Sequence, residues 1–459
     1  MSLPQGVLKE LGAIVGPEWV LTAPEDLVCY AYDGTFAEGR PDAVVLPATT
    51  AEVAAVLALA CREGIAVIPR GMGSGLAAAS VPFEGGIALT LTRMDRILEI
   101  DPVDMVAVAQ AGAITGDLQA AVEAQGLFYP PDPSSLKHCT LGGNVACNAG
   151  GPRCLKYGVT RDYVLALEAV LADGRVLRAG SRTAKNATGY SLVQLLIGSE
   201  GTLGVVTEIT LRLLPLPRSA HTVLGVFASL NDASQAVTAV LRAGIRPATL
   251  ELVDETAIRC VEDYLHLGLP LDAEAILLIE CDGAEAQVAG ESRAVAALCA
   301  EHGASQVRTA TAPQDRDELW RARRAISGSL SRQRPNKLGE DIVVPRHAIP
   351  AMVARLKEIG RQHELPIVIF GHAGDGNLHP NLLFDRRDPQ EWARVERATE
   401  AIFRAAVELG GTLSGEHGVG VLKRDYLGLA VDPAAIEAMR AIKRALDPRG
   451  ILNPGKVLS

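Results

Sequence analysis

Apolar and polar positions in the first part of the chain follow a pattern typical of strands separated by helices. A short helical pattern covers residues 7–15, and an apolar run at 44–46 precedes a longer helical pattern from about residue 50 to 62. Gly64 follows, where a helix is expected to end, and 65–68 reads as a second buried strand. This order predicts an α/β region near the N-terminus.

Beyond about residue 216 the pattern changes. Strand-like runs at 221–228 and 275–280 alternate with amphipathic helical patterns at 231–243 and 286–302. Strands and helices mixed in this way are typical of a second α+β domain with an antiparallel sheet.

Three glycine-rich stretches interrupt the first region. In the stretch 69–76, glycine at alternate positions lets several backbone N–H groups approach one phosphate. It is not G-x-G-x-x-G and leads to a strand at 87–91, which argues against a Rossmann site. The stretch 129–151 is too rich in Pro, Gly, Ser and Asn for a regular element, and 198–204 enters the strand 205–213. We interpret the three as backbone wrapped around a large polar ligand rather than as independent turns.

A hairpin pattern in the second region carries two histidines. The dipeptide at 375–376, Asp-Gly, favours a two-residue turn. A turn centred there would place His372 directly opposite His379, with Cβ atoms roughly 5 Å apart. The cluster 414–418 adds the carboxylate of Glu416. Two imidazoles and one carboxylate suit a catalytic zinc or another divalent metal, whereas the alternative is a turn with two surface histidines.

Composition excludes several classes. With 459 residues the chain can form two or three domains, and its net charge of −10 argues against nucleic acid as a partner. No window of about 18 uncharged apolar residues predicts a membrane span. No secretory signal is visible at the start, and eight cysteines without C-x-x-C spacing indicate reduced thiols. We therefore expect a cytoplasmic protein, or one held at the inner membrane by a partner.

The motifs together resemble the vanillyl-alcohol oxidase and p-cresol methylhydroxylase group of flavoproteins. The FAD-binding loops of that group are similar to the sequences at 69–76, 131–135, 142–151 and 198–204. Within the group, the sequences at 371–380, 415–420 and 452–456 resemble the branch of glycolate oxidase catalytic subunits, D-lactate dehydrogenases and D-2-hydroxyglutarate dehydrogenases.

The resemblance implies an α+β fold, with a two-part FAD-binding domain of p-cresol methylhydroxylase type and an α+β cap domain with an antiparallel sheet. The implied division is an FAD-binding domain, a cap domain and a C-terminal segment returning to the first domain, with bounds 1–218, 219–410 and 411–459. FAD is expected to be non-covalent, because the loop 69–76 has no histidine; His138 is the one residue that leaves attachment open. The implied FAD-binding residues are Pro69, Arg70, Gly71, Met72, Gly73, Ser74, Gly75, Leu76, Pro133, Ser134, Ser135, Thr140, Gly142, Gly143, Asn144, Asn148, Gly150, Glu200, Gly201, Val206 and Asn453.

The implied reaction is oxidation of a D-2-hydroxy acid, D-lactate or glycolate, to the 2-oxo acid by hydride transfer to FAD. His372, His379 and Glu416 are the expected ligands of a divalent metal, zinc in the first place with manganese or iron as alternatives. His417 is the expected general base. The residues that match substrate-binding positions of the D-2-hydroxyglutarate relatives are Arg323, Ser327, Lys337 and Asn381.

Alternatives remain open at this point. D-2-hydroxyglutarate is another substrate, a non-catalytic flavin electron-transfer subunit is another role, and a metallohydrolase would leave the glycine loops unexplained. Reduced flavin needs an acceptor, and the candidates are molecular oxygen, a quinone, a cytochrome, an electron-transfer flavoprotein or an iron–sulfur subunit. A homodimer and a hetero-oligomer are both compatible with the sequence.

Overall fold

The structure is a computed structural model that describes residues 3–458. Its contacts divide the chain into two compact units. Unit 1 runs to Gly150 and adds Val159–Leu216 and the chain from Glu416 onward, whereas unit 2 comprises Gly151–Gly158 and Pro217–Gly415. The sequence-based division had not separated the short segment Gly151–Gly158 from the first domain.

Unit 1 contains two main sheets, and its strands are short. Their bounds are β1 Val20–Leu21, β2 Ala43–Val45, β3 Val67–Arg70, β4 Ile87–Thr90, β5 Ile97–Asp101, β6 Val106–Gln110, β7 Leu127–Phe128, β8 Val164–Val170, β9 Val176–Gly180, β10 Val205–Arg212 and β11 Leu214–Pro215. The first sheet has the order β1-β2-β4-β3, with β2, β4 and β3 parallel. The second is antiparallel with the order β5-β6-β10-β8-β9, and β7 pairs with β11.

The helices up to residue 216 are mostly short. They are α1 Gln5–Val15, α2 Pro24–Leu27, α3 Thr50–Glu63, α4 Thr115–Glu123, α5 Leu141–Cys147, α6 Cys154–Tyr157 and α7 Leu192–Leu196, of which α6 lies in unit 2. Helix α3 connects the parallel strands β2 and β3, as the sequence predicted. The Thr49 hydroxyl accepts a hydrogen bond from the Glu52 N–H at its start, and Gly64 ends it at φ +69°.

One predicted irregular segment contains regular structure. The stretch 129–151 was expected to lack any regular element, but α5 forms within it at Leu141–Cys147. The Thr140 hydroxyl accepts a hydrogen bond from the Gly143 N–H, and Asn148 ends the helix at φ +55°. Two capping residues thus offset the low helix propensity of the glycines, which composition alone could not show.

Unit 2 is built on a single antiparallel sheet with the order β15-β12-β14-β13-β18-β19-β16, to which β17 adds by pairing with β19. The strands are β12 Ser219–Phe227, β13 Thr249–Asp254, β14 Ala275–Gly283, β15 Ala304–Ala310, β16 Asn336–Gly339, β17 Ile342–Val343, β18 Ile367–His372 and β19 Asn377–Phe384. The antiparallel sheet confirms the predicted architecture of this region.

The remaining helices follow in chain order. They are α8 Leu230–Arg242, α9 Glu255–Leu265, α10 Glu285–Glu301, α11 Pro313–Ser329, α12 Ile349–Gln362 and α13 Pro389–Glu408 in unit 2, then α14 Leu427–Ala430 and α15 Pro433–Leu446 in unit 1. Short 3-10 turns cover Pro17–Trp19, Val28–Tyr30, Thr160–Asp162, Leu330–Arg332, Arg346–Ala348 and Arg424–Tyr426. Within residues 3–458, none of the helices combines the length and apolar character needed to cross a membrane.

The central strands of unit 2 are buried. Every residue of β13, β18 and β19 is shielded from solvent. Apolar residues such as Val253, Phe370 and Leu383 share one core with helices α9 and α11. Polar side chains on these strands therefore require polar partners inside the protein.

Candidate functional site

The two histidines of unit 2 lie on one hairpin, in a register that differs from the predicted one. Strands β18 and β19 pair Phe370 with His379 and His372 with Asn377. The prediction that His372 lies directly opposite His379 is therefore wrong by two residues. Because side chains alternate with a period of two, this shift leaves both on the same face. Their ring centroids are 5.0 Å apart, edge to face.

The wider turn between β18 and β19 is explained by a contact with a distant segment of the chain. The Val344 N–H donates to the Gly376 carbonyl at 3.1 Å, so the turn residues bond to a third segment of chain. A Cβ at Gly376 would lie 2.0 Å from the Val344 carbonyl oxygen, and its φ is +89°. Glycine is required here by this close approach rather than by a two-residue turn.

His372 is held by a buried carboxylate that sequence reasoning missed. Its Nδ1 lies 2.6 Å from Oε1 of Glu251, which is on the adjacent strand β13. The Glu251 side chain is fully buried. Burial alone would raise its pKa, but the neighbouring His372 and Arg323 lower that pKa to about 2. An ionised carboxylate only accepts hydrogen bonds, so Nδ1 carries the proton and Nε2 is the nitrogen suited to a metal.

The same carboxylate binds Arg323, a predicted substrate-binding residue on α11. Its Nε and Nη2 donate to Oε2 of Glu251 at 2.7 and 2.6 Å. The guanidinium carbon lies 5.0 Å from the centroid of the Phe370 ring, and that ring is 5.9 Å from His379. One buried carboxylate therefore links the arginine to the histidine pair.

A second buried carboxylate, Asp341, organises the other side of the hairpin in unit 2. Its Oδ1 accepts from Asn377 Nδ2 at 2.7 Å and lies 3.9 Å from His379 Nδ1. Its Oδ2 accepts from the Ser414 hydroxyl at 2.8 Å and the Gly415 N–H at 2.9 Å. Asp341 therefore fixes the backbone up to the residue before Glu416.

Glu416 and His417 are the next two residues of the chain, and they begin the C-terminal part of unit 1. Both are partly exposed, and a carboxylate oxygen of Glu416 lies 4.0 Å from His417 Nε2. Adjacent side chains of an extended segment point to opposite sides, but here the carboxylate and the imidazole lie close together. Both groups can therefore contact the same small ligand.

Two further predicted substrate-binding residues contact each other. Lys337 on β16 donates from Nζ to the Ser327 hydroxyl at the end of α11. Burial lowers the pKa of Lys337 from its ordinary 10.5. Asn381 is buried on β19 and donates from Nδ2 to the His379 carbonyl at 2.9 Å. Arg323, Ser327, Lys337 and Asn381 thus all lie in unit 2 with the histidine pair.

In unit 1 the glycine-rich segments are brought together. A Cβ on Gly71 would lie 2.3 Å from the Thr140 hydroxyl, and one on Gly201 would lie 2.9 Å from the Pro69 ring. The Glu200 N–H donates to the Ala146 carbonyl at 2.9 Å. The three segments therefore contact one another at distances that leave no room for side chains larger than glycine at 71 and 201.

The first of these loops curves around a buried cation. Gly73 has φ +68°, and a Cβ there would lie 2.1 Å from Nη2 of Arg70. The Arg70 guanidinium is buried, and its Nη1 donates to the Ser80 hydroxyl at 3.3 Å. A side-chain-free backbone beside an arginine fits a diphosphate such as that of FAD.

Two residues predicted to bind the cofactor also tie down the C-terminal segment. The buried carboxylate of Glu200 accepts from the N–H groups of Val419 and Gly420 at 2.6 and 2.8 Å. Asn453 donates from Nδ2 to the Glu200 carbonyl at 2.6 Å and to the Ala79 carbonyl at 2.9 Å. Burial raises the pKa of Glu200 to about 7.

The remaining predicted cofactor residues are distributed over the same unit. Ser135 accepts with its carbonyl from the N–H groups of His138 and Cys139, so this segment is a compact turn. Asn144 lies in α5 and donates to the Thr115 hydroxyl at 2.6 Å, and Val206 lies in β10.

Glu251 and Asp341 are the functional candidates that sequence reasoning missed. Each had a signal. Glu251 interrupts the apolar run of β13, and Asp341 directly precedes the apolar residues of β17. A charged residue inside a buried strand needs a partner, so such a residue marks a site even when no motif includes it.

Two protein-family models match the chain. A model described as "FAD binding domain" matches residues 41–180, and one described as "FAD linked oxidases, C-terminal domain" matches 216–457. The glycolate oxidase subunit GlcD of Bacillus subtilis (strain 168) is 43% identical over 458 residues, covering 100% of this chain and 97% of that protein. A D-lactate dehydrogenase of Anaerostipes hadrus is 35% identical and covers 96% and 95%.

A solved structure of p-cresol methylhydroxylase with substrate bound has a similar fold. The TM-score is 0.83 at 19% identity, and the match covers 99% of this chain and 97% of that one. The predicted fold type is thereby confirmed.

Proposed function

Because the chain belongs to the family of FAD-linked oxidases, we propose that it oxidises a small 2-hydroxy acid, D-lactate or glycolate, to the 2-oxo acid. The observation that carries the proposal is the pair of buried histidines in unit 2, one of which shares the Glu251 carboxylate with Arg323, on the sheet whose strand β16 carries Lys337. A 2-hydroxy acid presents a hydroxyl and a carboxylate, and these are the groups that a metal site and two cations would recognise. The names of the glycolate oxidase and D-lactate dehydrogenase relatives support the same substrate class.

The reaction removes two hydrogens from the substrate. The hydroxyl loses a proton and C2 loses a hydride, so the C2–O bond becomes a carbonyl. When bound, FAD supplies a hydride acceptor, which removes any need for a nicotinamide. The glycine-rich segments of unit 1 and the Arg70 guanidinium would hold it, without a covalent bond.

A divalent metal is the second proposed cofactor, held by His372, His379 and Glu416. Support comes from His372, whose Nδ1 contact with Glu251 leaves Nε2 as the nitrogen suited to a metal, and from the 5.0 Å separation of the two rings. Asp341 anchors the backbone immediately before Glu416 and is a further candidate ligand. Imidazole and carboxylate ligands suit zinc, manganese or iron, and such an ion would lower the pKa of a bound hydroxyl.

The protein's own side chains have separate roles in this proposal. Arg323 and Lys337 bind the substrate carboxylate, with Ser327 holding the lysine ammonium and Asn381 bracing the His379 backbone. His417 takes the hydroxyl proton, because an imidazole is the side chain whose pKa suits a general base near neutral pH.

The reduced protein must pass its electrons on. The candidates are molecular oxygen, a quinone, a cytochrome, an electron-transfer flavoprotein or an iron–sulfur subunit. We propose a hetero-oligomer with such a partner, because the relative from Bacillus subtilis is named as a subunit.

The test is anaerobic reduction of the purified yellow protein by D-lactate, L-lactate, glycolate and D-2-hydroxyglutarate. We expect loss of flavin absorbance with D-lactate or glycolate, and little loss with L-lactate. Faster bleaching with D-2-hydroxyglutarate would reassign the substrate. A flavin that none of the four acids bleaches, but that dithionite does, would favour the electron-transfer role instead.

A further inference from the structure

We propose that Glu251 is a positioning residue that fixes the tautomer of His372 with one carboxylate oxygen and the orientation of Arg323 with the other. It would thereby couple the metal site to the substrate-carboxylate site. The inference rests on the proposed roles of His372 and Arg323, and it adds a residue that belongs to neither site.

The location of Glu251 is unusual for a charged residue. It lies in the middle of β13, on a sheet whose neighbouring strands are buried, and its side chain has 0% exposure. A buried charge is strongly unfavourable unless it is paired and hydrogen-bonded. Its carboxylate contacts His372 through Oε1 and Arg323 through Oε2, and both partners are predicted functional residues.

The histidine contact selects one tautomer. Since the carboxylate can only accept, the ring nitrogen 2.6 Å from it must donate, which places the proton on Nδ1. The lone pair suited to a metal is then on Nε2. Partners of this kind hold the ring of a metal ligand in place and increase its basicity.

The contact between Glu251 and Arg323 fixes the orientation of the guanidinium. The guanidinium is planar, so fixing Nε and Nη2 against one oxygen also fixes where Nη1 points. The Phe370 ring, 5.0 Å from the guanidinium carbon, restricts the same group from one face.

A neighbouring carboxylate shows what a structural role would look like. Asp254 lies three residues further along β13 and is equally buried. Its oxygens accept from the N–H groups of Ala257 and Ile369, at 3.0 and 2.8 Å, so it caps α9 and joins β18. The hydrogen bonds of Asp254 come from backbone, with the Lys357 ammonium 3.7 Å away, whereas those of Glu251 come from two predicted functional side chains. Asp254 is therefore a matched control.

The first variant is Glu251→Gln, whose amide cannot serve both partners. Arg323 only donates, so the amide oxygen must face it, and the amide nitrogen then faces His372. His372 must accept at Nδ1 and carry its proton on Nε2, where it blocks the metal. We expect the affinity for Zn²⁺ to fall roughly 10- to 100-fold, the range for losing such a partner. Zn²⁺ alone is titrated into the FAD-loaded, metal-free protein against a chelator.

The second variant restores what the first removes. In Glu251→Gln with Arg323→Met, no donor holds the amide oxygen, so the amide can rotate and accept from His372. We expect the double variant to bind Zn²⁺ about 10-fold more tightly than Glu251→Gln alone, which recovers the lower end of the loss expected for such a partner. A residue that merely supported the fold would give a double variant no better than the single one.

The outcomes separate the inference from the function it rests on. Three outcomes would each overturn the inference: an unchanged Zn²⁺ affinity in Glu251→Gln, no recovery in the double variant, or an equal loss in Asp254→Asn. In each of these cases the proposed metal site itself would stand, provided that the wild-type protein binds Zn²⁺. A wild-type protein that binds no Zn²⁺, Mn²⁺ or Fe²⁺ would overturn the metal site itself. Flavin absorbance and circular dichroism on every variant verify folding.

Discussion

Glu200 in unit 1 and Glu251 in unit 2 are both buried glutamates, yet their pKa values move in opposite directions. Burial raises the pKa of Glu200 to about 7, which the N–H groups of Val419 and Gly420 and the charges of two lysines only partly offset. Burial acts on Glu251 too, but its contacts with His372 and Arg323 lower its pKa to about 2. The two differ in what their oxygens contact.

The difference reflects how each region is built. The region around Glu200 is made largely of backbone: glycine-rich segments and N–H groups that surround space for a ligand. The region around Glu251 is made of charged side chains on the strands of one sheet and on α11. Substitutions in unit 1 should therefore act through steric clashes and backbone conformation. Substitutions in unit 2 should act through charge and hydrogen bonding.

The largest expected effect is that of Gly73→Val, which tests the backbone-built region. A Cβ at residue 73 would meet the Arg70 guanidinium at 2.1 Å, and the φ of +68° disfavours any branched side chain. We expect the variant to purify without flavin and without activity. Absorbance of the purified protein measures this.

Gly126→Val is the control for that experiment. Gly126 has φ +73°, but a Cβ added there would have nothing within 4 Å, so this position shares the backbone strain without the collision. The variant should keep its flavin. If it also purifies colourless, strain in unit 1 rather than the Arg70 contact explains the loss.

The second prediction concerns His417, which tests whether a side chain in the backbone-built unit performs chemistry. We expect His417→Asn to retain FAD and metal but to lower the rate of flavin reduction roughly 100- to 10,000-fold, the range for a lost general base. Stopped-flow reduction and elemental analysis of the same sample measure both quantities.

Glu416→Gln is the comparison variant. This variant should bind the metal more weakly and should require a higher substrate concentration for flavin reduction. If His417→Asn loses the metal while Glu416→Gln keeps it, the roles of the two residues are reversed.

The sequence predicted much of this architecture, for identifiable reasons. Apolar periodicity and the glycine at residue 64 located α3, and the glycine-rich motifs identified the FAD-linked family, which the family models confirm. These features are local, since each depends on residues close together in the chain.

What the sequence did not predict depends on distant partners. The register of His372 was wrong because Val344 bonds to the turn at Gly376, and nothing within the hairpin indicates that contact. Glu251 was missed because it lies 121 residues from His372 and 72 from Arg323. The roles of the site residues remain predictions that the experiments above address.

The third prediction is a pH dependence of stability that arises from Glu200. Its pKa is about 7 when folded and near 4.5 when exposed, so between these values only the folded state holds the proton. Unfolding then releases a proton, and rising pH favours unfolding. The loss of stability should reach about 3 kcal/mol above pH 7, at about 1.4 kcal/mol for each unit of pKa.

Urea unfolding of wild type and Glu200→Gln between about pH 4.5 and 8 tests this. The difference between the two proteins should change across that window and level off above it. A parallel pair of profiles would mean that Glu200 keeps one charge state throughout, as Glu251 does, and the contrast between the regions would disappear.

The smallest expected effect is that of Lys337→Met, which tests whether the side-chain-built region binds substrate through charge. A hydrogen bond to a charged group contributes about 1.5 to 3 kcal/mol, so KM should rise roughly 10- to 100-fold with kcat little changed.

Burial lowers the pKa of Lys337 below 10.5. The ammonium therefore loses its charge at a lower pH than that of an exposed lysine. The KM of the wild-type protein should rise in that alkaline range, whereas the KM of Lys337→Met should not change with pH. Lys357→Met, at a lysine that pairs with Glu255 and lies 3.7 Å from Asp254 rather than beside a predicted substrate-binding residue, should leave KM unchanged at every pH. A KM for Lys337→Met equal to that of wild type would leave Arg323 as the substrate's cation.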